Sequence, residues 1–326
     1  MTATLIRGAD AVVTGLPGAA ARAGAVDIRI RDGLIAAMGR LDPGAGEEVI
    51  DASGCVVYPA WVNTHHHLAQ TVMKGTPESL NASLREWLRE VPSRYRRYLD
   101  ADAFRYSARL GMIELMLSGC ATIAEHNYIY YPGMPFDTSA ILFEEAERLG
   151  VRFVLCRGGM TRPQPGYEGE VPPYLRPESA DAIIGDVERL VARYHDPSPH
   201  AFRRVAMAPT TPAHRVHASE LVAMARAARR LGIRLHTHLS ENIDYLTYFR
   251  EQHDRSPIEF CAEHEWLGPD VWFAHLCHVT DAEIRMMADT GTGIAHCPGS
   301  NCRLGSGVAP APQMQAAGMP VSLAVD

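Results

Sequence analysis

Residues 220–241, ELVAMARAARRLGIRLHTHLSE, decide the fold. Up to Gly232 the apolar residues recur at helical spacing, and the glycine stands where a helix closes. From Ile233 a short apolar run follows and ends at His238, too brief for a second helix and well suited to a buried strand. A helix feeding directly into a short buried strand is the repeating half of a βα unit, whose strands lie parallel.

The same rhythm extends in both directions. Candidate strands are VVYPAWVN (56–63), ATIAEH (121–126), VRFVLCR (151–157), RRVAMAP (203–209), IRLHTH (233–238), VWFAHL (271–276), TGIAHC (292–297) and PVSLAVD (320–326). Helical stretches at 103–119, 139–150, 220–232 and 281–291 lie between them. Eight strands with intervening helices predict a (β/α)8 TIM barrel over 59–326, and no GxGxxG follows the first strand to suggest a dinucleotide-binding sheet. Residues 1–58 read instead as short strands separated by turns, a small β-sandwich element. The eighth strand ends on Asp326, the last residue, so the barrel is expected to be C-terminally truncated, lacking its last helix and leaving the β element incomplete.

At 326 residues the chain exceeds the roughly 250 that such a barrel needs. No apolar run approaches the roughly 20 residues of a membrane span, and the net charge of −7 disfavours nucleic acid. The N-terminus lacks the pattern of a secretory signal, and the seven cysteines form no CxxC pair, so a reduced, cytoplasmic protein is expected. Lys74 is the only lysine and sits in no phosphate-loop pattern, which removes most lysine chemistry. The charged segment Arg85–Arg97 reads as a solvated helix face.

Several predicted strand ends carry metal-ligating residue types. In Asn63-Thr64-His65-His66-His67 the two-residue period of a strand points His65 and His67 one way and His66 the other. His238, His275 and Asp326 end three further strands, and a barrel gathers all such ends at one mouth. Imidazoles with a carboxylate make a mixed nitrogen and oxygen site suited to one divalent ion, zinc first and iron second. Glu241, three residues past His238, is placed to shuttle a proton, although an acid opening the next helix would look the same. Gln70, His126, Arg157, Thr210 and Asn301 lie at or beyond strand ends as polar substrate-binding candidates, and Trp87 offers a ring for stacking. His296, Pro298 and Gly299 read as residues shaping the loop after strand seven.

NTHHHLAQ, HTHLSEN, FAHL, HCPGSNCRLGSG and VSLAVD, in that order, resemble the cytosine/guanine deaminase and triazine-hydrolase branch of the amidohydrolase superfamily, nearest to isoxanthopterin deaminases and then to 8-oxoguanine deaminases. The resemblance implies one divalent metal on His65, His67, His238 and Asp326, Glu241 as the proton shuttle, His275 orienting water or substrate, and Gln70 bonding the heterocycle. RRVAMAPTT lacks the lysine that bridges two metals in binuclear relatives. The implied activity is hydrolytic deamination of an amino-substituted nitrogen heterocycle, a pterin such as isoxanthopterin, with an 8-oxoguanine or guanine-type purine or a triazine as alternatives. The implied partner is a small heterocyclic substrate; a homodimer is one assembly open to the chain, and neither nucleic acid nor membrane is expected as a partner. An inactive, truncated metal-binding scaffold is the reading from another class.

Overall fold

The structure, a computed structural model, describes residues 3–163 and 170–326. The chain divides into two units, Met1–Trp61 and Val62–Asp326.

The first unit holds a four-stranded sheet in the order Leu34–Gly39, Asp27–Arg31, Ala3–Arg7, Glu48–Asp51, and a smaller one of Arg22–Ala23, Ala11–Val13 and Val56–Val57. Asp32 and Gly33 both take positive φ, 52° and 78°, the requirement of a two-residue hairpin turn between the first two strands. Ala9, Val12, Ile28 and Ala52 form a small core, and the Asp27 carboxylate accepts from the amides of Gly8 and Leu41 at 2.8 and 2.9 Å.

The second unit contains eight parallel strands in sequence order: β1 (Trp61–Asn63), β2 (Cys120–Asn127), β3 (Arg152–Arg157), β4 (Arg203–Met207), β5 (Arg234–Leu239), β6 (Val271–His275), β7 (Gly293–His296) and β8 (Val321–Leu323). The ends of the sheet meet: the Thr64 amide donates to Leu323 O at 3.2 Å, and the Asp326 amide donates to His65 O at 3.2 Å. This is the (β/α)8 barrel expected from the sequence. Helices Ala101–Leu117, Thr138–Leu149, Ala180–Tyr194, Ala218–Arg230 and Asp281–Thr290 cover it. Asp100, Asp137 and Ser179 accept amides of first-turn residues, which satisfies donors that the helix itself leaves open. Gly150 and Gly291 close two helices with φ of 71° and 73°. Among the described residues no helix is long and apolar enough to cross a membrane.

The two layers of the barrel follow strand alternation. Ile123, Phe153, Leu155, Val205, Leu235 and Phe273 join the large core shared with the helices, whereas Ala124, Cys156, Ala206, Ala274, Ala295 and Ala324 fill the interior. Small interior residues leave room for imidazoles above them.

The segment Arg85–Arg97 is helical in broken form, and Arg85, Glu86, Arg89, Arg94 and Arg97 are exposed as expected of a solvated face, with Arg96 the exception. A short helix at Leu84–Leu88 runs into a wide turn at Arg89–Ser93 and a tight one at Arg96–Tyr98. Pro92 inside that turn cannot donate a helical hydrogen bond. Arg96 is buried and donates to Tyr130 O at 2.6 Å.

Candidate metal centre

Ala124 on β2 points inward and Leu235 on β5 packs outward against the helices, so alternation along these strands turns His126, His236 and His238 into the barrel. His65 and His67 extend β1 toward the same mouth, while His66 turns outward, its Nδ1 lying 3.9 Å from the buried Glu125 carboxylate. His275 breaks the rule. It shares the outward parity of Val271 and Phe273, but φ values of 78° at His275 and 48° at Leu276 swing its ring back into the mouth. Ser240, before Glu241, and Asp326 are also left-handed, at 49° and 68°. Such backbone costs of order 1–3 kcal/mol per residue and gathers where function requires it.

His65 Nε2 lies 3.0 Å and His67 Nε2 3.3 Å from Asp326 Oδ1, and His67 Nε2 is 3.1 Å from His238 Nε2. The other ring nitrogens are all engaged. His67 Nδ1 donates to His126 O at 2.8 Å, and His238 Nδ1 donates to Thr210 O at 2.7 Å. His236 Nδ1 donates to Trp272 O at 2.9 Å, which leaves His236 Nε2 to accept from His65 Nδ1 at 2.7 Å. Burial is the largest influence on His65 and His238 and holds both far below the ordinary imidazole range, so they are neutral. With Nδ1 of His65, His67 and His238 donating elsewhere, their Nε2 atoms turn toward one another and toward a carboxylate oxygen. His65 Nε2 is buried and has no hydrogen-bond partner. Acceptors packed at such distances repel unless a cation sits among them, so the donor set fits a divalent metal of the nitrogen and oxygen binding kind. His65, His238, His275 and Asp326 also form a group whose ligand atoms lie within 4.8 Å of one another, as do His67, His126 and His238.

Glu241 Oε2 is 3.7 Å from His275 Nε2, and Ser306 Oγ donates to its other oxygen at 3.3 Å. Burial raises the Glu241 pKa, which favours a carboxyl able to give up a proton. For His275 burial opposes charge, but the Glu241 and Asp326 carboxylates outweigh it and raise its pKa. Asn301 Oδ1 accepts from His275 Nδ1 at 2.8 Å.

These groups open into a cavity of about 1190 Å³. Gln70, Trp87 and Thr210 line it, and Gln70 donates to Tyr128 OH at 2.8 Å. The other substrate-binding candidates lie elsewhere. His126 is fully buried within the barrel, its Nε2 donating to Ala208 O at 2.9 Å. Asn301 is buried behind His275. Arg157 has the outward parity of Phe153 and Leu155, and its guanidinium binds Glu178 at 2.7 Å and Asp186 at 2.9 Å beneath the Tyr130 ring. Counting positions along strand three would have shown that direction.

Several site residues escape a reading of strand ends. His236 sits two residues before His238, with the same inward parity, and is legible in HTH once alternation is applied to the whole strand. Tyr128, Ser300, which donates to Asp326 Oδ2 at 2.5 Å, and the His214-Arg215 pair in the loop after β4 carry no such signal.

A sequence profile of the amidohydrolase family matches residues 56–326. The chain is 55% identical to an isoxanthopterin deaminase of an unknown prokaryotic organism over 326 residues, covering 99% of this chain and 67% of the relative. It is 37% identical to an 8-oxoguanine deaminase of Pseudomonas aeruginosa over 305 residues, covering 90% of this chain and 66% of that protein. It thus spans about two thirds of the length of these relatives. Its fold superposes on the crystal structure of the atrazine chlorohydrolase from Arthrobacter aurescens TC1 complexed with zinc with a TM-score of 0.91 and 28% identity, over 98% of this chain and 71% of the other. Profile, identity and architecture agree, and the chain belongs to the amidohydrolase family.

Proposed function

We propose that this protein hydrolyses the amino group from a flat nitrogen heterocycle, releasing ammonia, with isoxanthopterin as the substrate. The observation that carries the reading is the set of converging Nε2 atoms of His65, His67 and His238 around Asp326, with the buried carboxyl of Glu241 on the same cavity. His65, His67, His238 and Asp326 would hold the ion, for which zinc is proposed because a relative of the same architecture is complexed with it. When bound, a divalent ion supplies a nucleophile at neutral pH by lowering the pKa of water.

The chain's own residues do the rest. Asp326 takes the proton of the attacking water, its orientation held by Ser300. His275, fixed by Asn301, aligns that water against the ring carbon bearing the amine. Glu241 protonates the neighbouring ring nitrogen as the carbon becomes tetrahedral. On collapse the proton held by Asp326 passes to the amine, which leaves as ammonia, while the hydroxyl proton returns to Glu241 and a carbonyl remains, so one water is consumed for each ammonia released. Gln70 and Trp87 provide a hydrogen bond and a stacking face for the ring.

The test is ammonia release by the zinc-loaded protein from isoxanthopterin, 8-oxoguanine and hydroxylated aminotriazines. Preference for isoxanthopterin supports the reading; turnover of a triazine alone would move it to the triazine hydrolases, and turnover of none with zinc bound would leave a metal-binding scaffold.

A further inference from the structure

Arg215 is an anomaly in the cavity wall. Its Nη1 is buried with no hydrogen-bond partner, and among the described residues no carboxylate pairs with it. Most other cations on the same wall are committed: Lys74 binds Glu114, Arg89 binds Glu90, Arg96 donates to Tyr130 O, and Arg303 donates to Ser79 O, whereas Arg85, exposed to solvent, adds a second positive charge with no ion pair among the described residues. Burial alone lowers Arg215, to about 10, so it stays charged at neutral pH. The neighbouring His214 is pushed to about 4 by burial and by the charges of Arg215, Arg162 and Arg85, so this part of the wall is cationic among the described residues.

A charge buried without a counterion is costly unless something else neutralises it. Arg215 is half-buried on the cavity wall, with no ion pair and no side-chain hydrogen bond among the described residues, so the accessible part of its guanidinium is open to an anion that fills the cavity. A guanidinium presents parallel donors that match the two oxygens of a carboxylate or the oxygen of an ionised lactam. Arg215 stands on the loop after β4, whereas Glu241 and Asp326 follow β5 and β8, so the anionic substituent and the reacting carbon are held by different loops.

We propose that Arg215 is a specificity-determining residue and that the substrate is an anionic amino-heterocycle whose carboxylate or ionised lactam oxygen it binds; this rests on the deaminase reading above. The experiment compares two pairs of compounds on the zinc-loaded protein: a carboxylated aminopterin as free acid and as methyl ester, and isoxanthopterin with its N-methylated lactam, which cannot ionise. A preference of about tenfold or more in kcat/KM for the charged member of one pair is expected, the size of one charge-assisted hydrogen bond. The pair that shows it identifies the anion. In Arg215→Met that preference collapses, chiefly through KM, and in Arg215→Lys part of it survives. The Arg215→Met protein without ligand is expected to melt no lower than its parent, because an unpaired charge has been removed, whereas an arginine with a structural role would lower the melting temperature. No charge preference in either pair, or one unchanged in Arg215→Met, overturns the proposal while leaving deamination intact. Should no compound release ammonia, the deaminase reading fails, and calorimetric binding of the same pairs decides the role of Arg215 by the same criterion.

Discussion

His65 Nδ1 donates to His236 Nε2 at 2.7 Å, and His236 in turn donates to Trp272 O while its ring stacks on the Trp272 indole at 4.4 Å. This relay settles which nitrogen of His65 faces the metal centre. Replacing His236 by leucine removes the acceptor and frees the tautomer of His65. Zinc affinity, measured by chelator competition, is expected to fall about 10- to 100-fold, with His236→Gln recovering part of it. Unchanged affinity in the leucine variant would show that the relay is incidental.

Glu241 lines the cavity beside His275 and outside the contacts that join His65, His67, His238 and Asp326. Glu241→Gln keeps the shape and cannot deliver the proton. Its kcat should drop about 10²- to 10⁴-fold while metal analysis still finds zinc. Full turnover with zinc bound would remove Glu241 from the mechanism.

Arg157 joins Glu178 and Asp186 through a side chain only 2% exposed. Arg157→Met takes the buried cation from Glu178 and leaves Asp186 with Arg189 alone, and should cost about 3 kcal/mol in denaturant unfolding. Substrate KM of the folded fraction is expected to stay within a few-fold of the parent. A selective rise in KM without loss of stability would restore Arg157 to substrate binding.

Gly111 marks a close approach of helix Ala101–Leu117 to the segment carrying Gln70. A Cβ there would stand 2.6 Å from both Leu68 Cδ2 and Thr71 Oγ1. Gly111→Ala should therefore destabilise the protein by about 1–3 kcal/mol and weaken turnover by shifting Gln70. A melting temperature equal to the parent's would mean that the segment yields freely.

Burial lowers the pKa of His66 and of His236 to about 3, so both are neutral in the folded protein at every moderately acidic pH. The unfolded chain binds protons at these positions below about pH 6.5. Stability is thus fully present above that value and is lost as pH falls from it toward 3, by about 1.4 kcal/mol per pH unit for each histidine. Chelated protein followed by thermal unfolding between pH 7 and 5 should show that slope. A flat profile would mean that these rings take up protons without unfolding.

The alternation of short apolar runs with glycine-closed helices was enough to determine eight parallel strands, because burial on both faces and helical periodicity are local properties of the chain. The same local period sends His65 and His67 to one side and His66 to the other, and barrel geometry then places their companions at one mouth. Applied consistently, it also separates His126 and His236, which face inward, from Arg157, which does not. Tertiary structure alone decided the rest. His275 reaches the mouth against its parity because two left-handed residues turn the chain, and an observer of the sequence sees only ordinary His and Leu there. That Arg215 has no ion pair among the described residues is likewise invisible in one dimension, since pairing is a fact about the residues that fold around it. Periodicity is written in neighbours along the chain, whereas backbone strain and unpaired charge depend on neighbours in space.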